Sequence, residues 1–230
     1  MPGFISHTVM ARDVCNRIKN DNSLKYMMTF SLGGDLSKYS KCRYVSHHKD
    51  MDKFIYNMAD YIRNNKLGDN KALVGVLYAH ICHYMMDDTL HPLVRSASKK
   101  SVKNKRNHAL IELYYDRYLV NNIDIYIRNR ILSARFNNDI SKMIDYAYMK
   151  TYGVRGISRY YKFNLRLYRL LLFIYRLFGS KFIYKVLGVN KYLRVNKDID
   201  LVNNINELYD DSISRSVEYI KRIDEYLTNE

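Results

Sequence analysis

The chain holds no tryptophan, two prolines, nine glycines and three cysteines among 230 residues. So few prolines and glycines leave long stretches without a breaker, and period-3.6 patterns fill them, which predicts an all-α fold. The cysteines, Cys15, Cys42 and Cys82, do not make a paired framework. No basic-then-apolar leader opens the sequence, and both facts predict a reducing, cytoplasmic setting. There is no Gly-rich phosphate loop, no G-x-S-x-G elbow and no C-x-x-C pair. Loop-type nucleotide binding, serine hydrolysis and zinc-ribbon readings therefore have no support. No polar linker or low-complexity tract divides residues 1–230, so one domain with one sizeable core is expected.

What is present in excess is positive charge. The net charge is +15, spread along the whole chain. Such a field favours anionic partners: nucleic acid, anionic lipid or phosphate esters. Solubility and coding bias explain it equally well. Tyrosine is abundant at 23 residues, which reads as bias, with hydroxyls satisfied at the core's edge.

The stretch 80–116 organises the rest. It opens HICHYMMDDTLHP, crosses a basic loop and resumes HALIELYYD. His83 and Asp87 stand four apart, as do Asp87 and His91, and then His108 and Glu112. Residues four apart lie on one helical face. Two helices can thus each aim an imidazole and a carboxylate into one space, which is what a zinc ion accepts. Asp116 extends the second face by one more turn.

In chain order, residues 5–19 predict a helix capped by Ser6, with His7 in its first turn. The pair Gly33-Gly34 allows a sharp turn that delivers Asp35, either as a buried ligand or base or as an ordinary turn residue. Met51, Phe54, Ile55, Met58 and Ile62 make a core stripe on a helix starting at Asp50 or Asp52. His47 and His48 precede it, where one of them can swing toward a metal. Asp69 is expected to cap the central helix, whose Leu73, Leu77, Ile81 and Tyr84 face inward beside Val76, His80, His83 and Asp87. Pro92 is expected to end or break that helix. The loop 95–107, rich in Lys and Arg, either receives a phosphate or is simply solvated, and Asn107 caps the next helix.

Residues 160–187 form an apolar run interrupted by Arg166, Arg169 and Arg176 on one side, too costly for a spanning helix. The alternatives are a half-buried helix or a basic amphipathic helix lying on an anionic bilayer. A last helix over 205–228 is expected to close the bundle.

The pattern H-Y-x-x-D, a His-Pro shortly after, and H-x-x-x-E-x-x-x-D resembles the bacterial zinc-dependent phospholipase C family. It looks closest to the branch without a signal peptide, whose opening M-P-x-F-x-x-H matches Met1 to His7. The glycine turn ending in Asp35 and the histidine before a Lys-containing helix start, His47 or His48, follow in the family's order. The resemblance covers residues 1–120; the remainder matches only loosely, around Glu207-Leu208-Tyr209-Asp210.

That resemblance implies an all-α, multi-helix bundle with a cluster of two or three Zn2+ ions between helices. The implied ligands are His7, Asp35, His47 (or His48), His83, Asp87, His91, His108 and Glu112, with Asp87 bridging two ions and Asp35 also the catalytic base. Asp116 would orient a ligand; His80 would stand behind the ligands or in the core. The secreted members' N-terminal Trp ligand has no counterpart here. The implied activity is phosphodiester hydrolysis, phospholipase C-type cleavage of a phospholipid by a zinc-activated water. A nuclease acting on single-stranded nucleic acid, or a catalytically silent metal-binding interaction protein, are the other readings. Glu112, where the nuclease branch of the fold carries Asp, favours the lipid reading.

Overall fold

A computed structural model describes residues 3–40, 50–99, 104–120, 126, 131–187 and 199–228; of residues 97–99, 104–109, 114, 187 and 199–203 it describes the backbone alone. The described residues hold eight α-helices and no strand. The all-α, multi-helix bundle expected from the sequence is what is found. The helices are α1 (Phe4–Arg17), α2 (Leu24–Phe30), α3 (Met51–Asn64), α4 (Lys71–Lys99), α5 (Asn104–Leu119), α6 (Asn138–Tyr152), α7 (Ser158–Leu187) and α8 (Ile199–Thr228), with short 3-10 turns at Asp21–Ser23 and Gly33–Ser37.

Helix α4 is the axis, and α1, α2, α3, α5, α6 and α8 all pack against it. Every residue from Ala72 to Asp87 is buried. The sequence suggests one inward face, but this segment has no outward one, because neighbours surround it. That is why its apolar residues show no clean stripe and why polar residues on it, His80, His83 and Asp87, end up inside. Helix α3 is the contrast: Phe54, Ile55, Met58, Ala59 and Ile62 are buried and its other face is wet, as the stripe predicts.

Several boundary expectations are corrected. Helix α1 begins at Phe4, so Ser6 lies in its first turn rather than at its cap. Asn70, not Asp69, caps α4: its Oδ1 accepts from the backbone N–H groups of Ala72 (3.1 Å) and Leu73 (3.3 Å). Helix α4 runs through Pro92 to Lys99. Pro92 and Asp88, whose carbonyl it leaves without a donor, are both exposed, so the lost bond falls on the solvent side, where its cost is small. Helix α5 starts at Asn104, three residues before the expected cap Asn107. Most of the supposed basic loop is thus helical, and residues 100–103 lie outside the described residues.

Helix α8 is tied on by tyrosines at the core's rim. Tyr209 donates to Asp13 (2.9 Å), Tyr219 to Asp52 (2.6 Å) and Tyr226 to Asp60 (2.5 Å), while Tyr78 of α4 donates to Asp224. Tyr78, Tyr209 and Tyr219 bury their rings and Tyr226 half-buries its own, each leaving its hydroxyl with a charged acceptor. Cys15 and Cys82 are buried free thiols; Cys42 lies outside the described residues. No described helix is long and apolar enough to cross a membrane.

Candidate metal centre

The first turn of α1 is held by α5. The Ser6 backbone N–H donates to Asp116 Oδ1 at 2.7 Å, and the Ser6 hydroxyl donates to the same oxygen. Gly3 makes this approach possible, since a Cβ there would lie 2.0 Å from Asp116 Oδ2. Fastened in this way, the turn carries His7 into the bundle, 1% exposed and facing α4.

There it meets His83 and Asp87, one helical turn apart. His7 Nε2 lies 3.5 Å from Asp87 Oδ1, and His83 Nε2 lies 3.5 Å from Asp87 Oδ2. The two imidazole rings are 4.5 Å apart between centroids, inclined by 30°. One ligand atom from each of the three residues lies within 4.8 Å of the other two. All three are buried.

The tautomer of His83 follows from its other nitrogen. Nδ1 is 3.1 Å from the Ser31 carbonyl, which can only accept, so Nδ1 carries the proton and donates. In the neutral ring Nε2 then presents a lone pair toward Asp87. A backbone carbonyl behind a histidine is a common way to orient a metal ligand. Both ring nitrogens of His7 lack a hydrogen-bond partner among the described residues. Buried polar atoms are normally satisfied, and contacts of 3.5 Å are too long to be good hydrogen bonds. Two imidazoles facing the two oxygens of one carboxylate suit a divalent ion of the zinc class. The donor set fits.

Asp35 reaches the same region through the 3-10 turn Gly33–Ser37 and is buried. The two-glycine turn does deliver it inward, with Gly33 at φ +43°. Glu112 of α5 is partly buried; burial pushes its carboxyl up to about 8, and the charges of Asp35 and Asp87 push the same way. His91 is half-buried on the last part of α4. Asp35, His91 and Glu112 stand outside the mutual group formed by His7, His83 and Asp87. His47 and His48 lie outside the described residues, and so does the His108 side chain, although its backbone is in α5.

His80 is a core residue with both nitrogens engaged. Nδ1 donates to the Val76 carbonyl at 2.8 Å, so Nε2 accepts from the Tyr161 hydroxyl at 3.0 Å. Tyr161 in turn accepts from Tyr148 at 3.1 Å. Asp116 is buried behind Ser6, and burial raises its carboxyl to about 7 against the pull of the Ser6 donors.

Two residues on α7 belong here that no motif suggested. Asn164 Nδ2 donates to the carbonyls of Leu36 (3.0 Å) and Lys38 (2.8 Å), pinning the turn that carries Asp35. One turn later comes Tyr168, half-buried: burial, then the charges of Asp35 and Glu112, raise its phenol, so it stays a neutral O–H donor. The available signal was a lone Asn, with a Tyr four residues on, in an otherwise apolar and basic helix. Comparison of the chain with protein-family models, curated proteins and solved structures gives no match.

Proposed function

We propose that the protein is a metal-dependent phosphodiester hydrolase of the phospholipase C type. The observation that supports this best is the buried convergence of His7, His83 and Asp87, with His83 oriented by the Ser31 carbonyl. A zinc-class ion held by these residues supplies Lewis acidity toward a phosphate oxygen and toward water. Asp87 turns one oxygen to each histidine, so His7, His83 and Asp87 would hold one ion together. Glu112 and His91, with His108 by the family resemblance, are the candidate ligands for a further ion.

The remaining steps fall to the chain's own groups. Asp35, buried and held by the pinned turn, would orient the attacking water and take its proton at the carboxylate, then return that proton to the departing glycerol oxygen as its bond to phosphorus breaks. Tyr168, kept a neutral donor by burial and the charges of Asp35 and Glu112, would hydrogen-bond a non-bridging phosphate oxygen as its charge grows. The lipid reading is favoured over single-stranded nucleic acid by large apolar side chains exposed on α7. The +15 charge supports the nucleic-acid reading. A silent metal-binding protein is the outcome if metal is present and neither substrate is cut.

The test is elemental analysis of the purified full chain beside Asp87→Asn, followed by hydrolysis assays on phosphatidylcholine vesicles and on single-stranded DNA. Bound zinc that disappears in Asp87→Asn, with lipid cleavage lost in parallel, is the expected result. A protein that neither carries nor takes up zinc would overturn the reading.

A further inference from the structure

Helix α7 is apolar on two opposite sides. Its inner side buries Tyr161, Leu165, Leu172 and Tyr175. Its outer side carries Phe163, Leu167, Leu170, Ile174 and Leu177 at i, i+4, i+7, i+11 and i+14, which is a second stripe. Phe163 is 57% exposed, Leu170 54% and Leu177 62%, and past the break at Gly179 the pattern resumes with Phe182 at 52% and Val186 at 68%. At about 100 Å² for half of each large side chain, these seven positions bare roughly 700 Å². Monomers rarely expose a patch that large without using it.

The charge around the stripe is of one sign. Seven of the residues in 158–187 are Lys or Arg and none is Asp or Glu. Arg169 is committed elsewhere, donating to the carbonyls of Leu132 (2.8 Å) and Ala134 (2.5 Å). Lys162, Arg166, Lys181 and Lys185 are exposed along the stripe's length. A second copy of the chain would bring the same cations against them. A nucleic acid would meet the cations but leave the apolar stripe in water. An anionic bilayer satisfies both, with acyl chains against the stripe and headgroup phosphates against the rim.

We propose that α7 docks the protein in the plane of an anionic lipid bilayer. The stripe also borders a groove. Leu167 and Ile174 line a groove of about 310 Å³ between α7 and Lys38-Tyr39 whose inner wall includes Asn164 and Tyr168. Docking on this face sets the groove's mouth at headgroup level. The use of that groove by a lipid substrate rests on the phosphodiesterase reading; the docking does not.

The experiment is co-sedimentation of the full chain with vesicles of phosphatidylcholine alone and of phosphatidylcholine mixed with phosphatidylglycerol. The expected result is binding to the mixed vesicles, weakened by salt, and lowered roughly tenfold or more by Leu170→Glu with Leu177→Glu. Circular dichroism and melting should be unchanged, because both positions are exposed. Asp87→Asn should bind vesicles like the parent chain. No binding to anionic vesicles, equal binding by the double variant, or a dimer that Leu170→Glu converts to monomer would each overturn the proposal. Binding without hydrolysis would leave the docking intact and remove the phospholipase reading alone.

Discussion

Gly33 stands where a side chain would strike the His83 ring: a Cβ built there lies 2.4 Å from His83 Cγ, and the residue sits at φ +43°. The turn that delivers Asp35 and the helix that delivers His83 can therefore approach only because one residue lacks a Cβ. Gly33→Ala combines left-handed backbone strain with a collision. It should destabilise the fold by roughly 3 kcal/mol and displace His83. Urea unfolding measures the first effect and zinc content of the folded fraction the second. Full zinc occupancy in a stable Gly33→Ala protein would show that the close approach is unimportant to the centre.

The Asp116–Ser6 link makes a separate prediction. Asp116→Ala removes the acceptor for the Ser6 N–H and hydroxyl and should cost about 2–3 kcal/mol. Asp116→Asn keeps an acceptor oxygen and should recover most of that loss. If both variants melt alike, the hydrogen bonds are not what hold the first turn of α1.

How far the sequence reveals these arrangements depends on how local the cause is. The four-residue spacing of His83 and Asp87 is a local fact of helix geometry, and the structure places both in the bundle interior beside His7. The α3 stripe is local too. The orientation of His83 is not local: it depends on the carbonyl of Ser31, 52 positions away, which carries no side-chain signature. Pro92 misleads because the cost of a helical proline depends on which face it occupies, and only the assembled bundle settles that. Asn164 and Tyr168 were hidden for a similar reason: their roles come from the turn they face, not from their own helix.

Asn164 is testable by shape against donor. Asn164→Leu fills similar space but leaves the Leu36 and Lys38 carbonyls without their donor, which should cost roughly 2–4 kcal/mol. Asn164→Asp should be at least as harmful, since a carboxylate repels two carbonyl oxygens. Thermal melts report stability, and amide exchange over residues 36–40 should accelerate in both variants. Unchanged exchange there would mean that α7 does not pin the turn.

His80 predicts an acid sensitivity independent of the metal centre. Burial lowers its pKa from 6.5 to about 4, outweighing the Val76 carbonyl, which alone would raise it. Below pH 6.5 the unfolded chain takes up a proton that the folded chain refuses. The stabilisation is therefore complete above the unfolded value and drains away as pH falls toward the folded one. At about pH 5 the loss from this residue should be roughly 2 kcal/mol. His80→Gln, which does not titrate, should be weaker than the parent near neutrality because it cannot make both hydrogen bonds. Its stability should nonetheless fall less between about pH 7.5 and pH 5, by the same roughly 2 kcal/mol. Other histidines and carboxylates contribute to both proteins and cancel in the difference. Equal pH slopes in urea titrations of the two proteins would mean that His80 is not held neutral by the core.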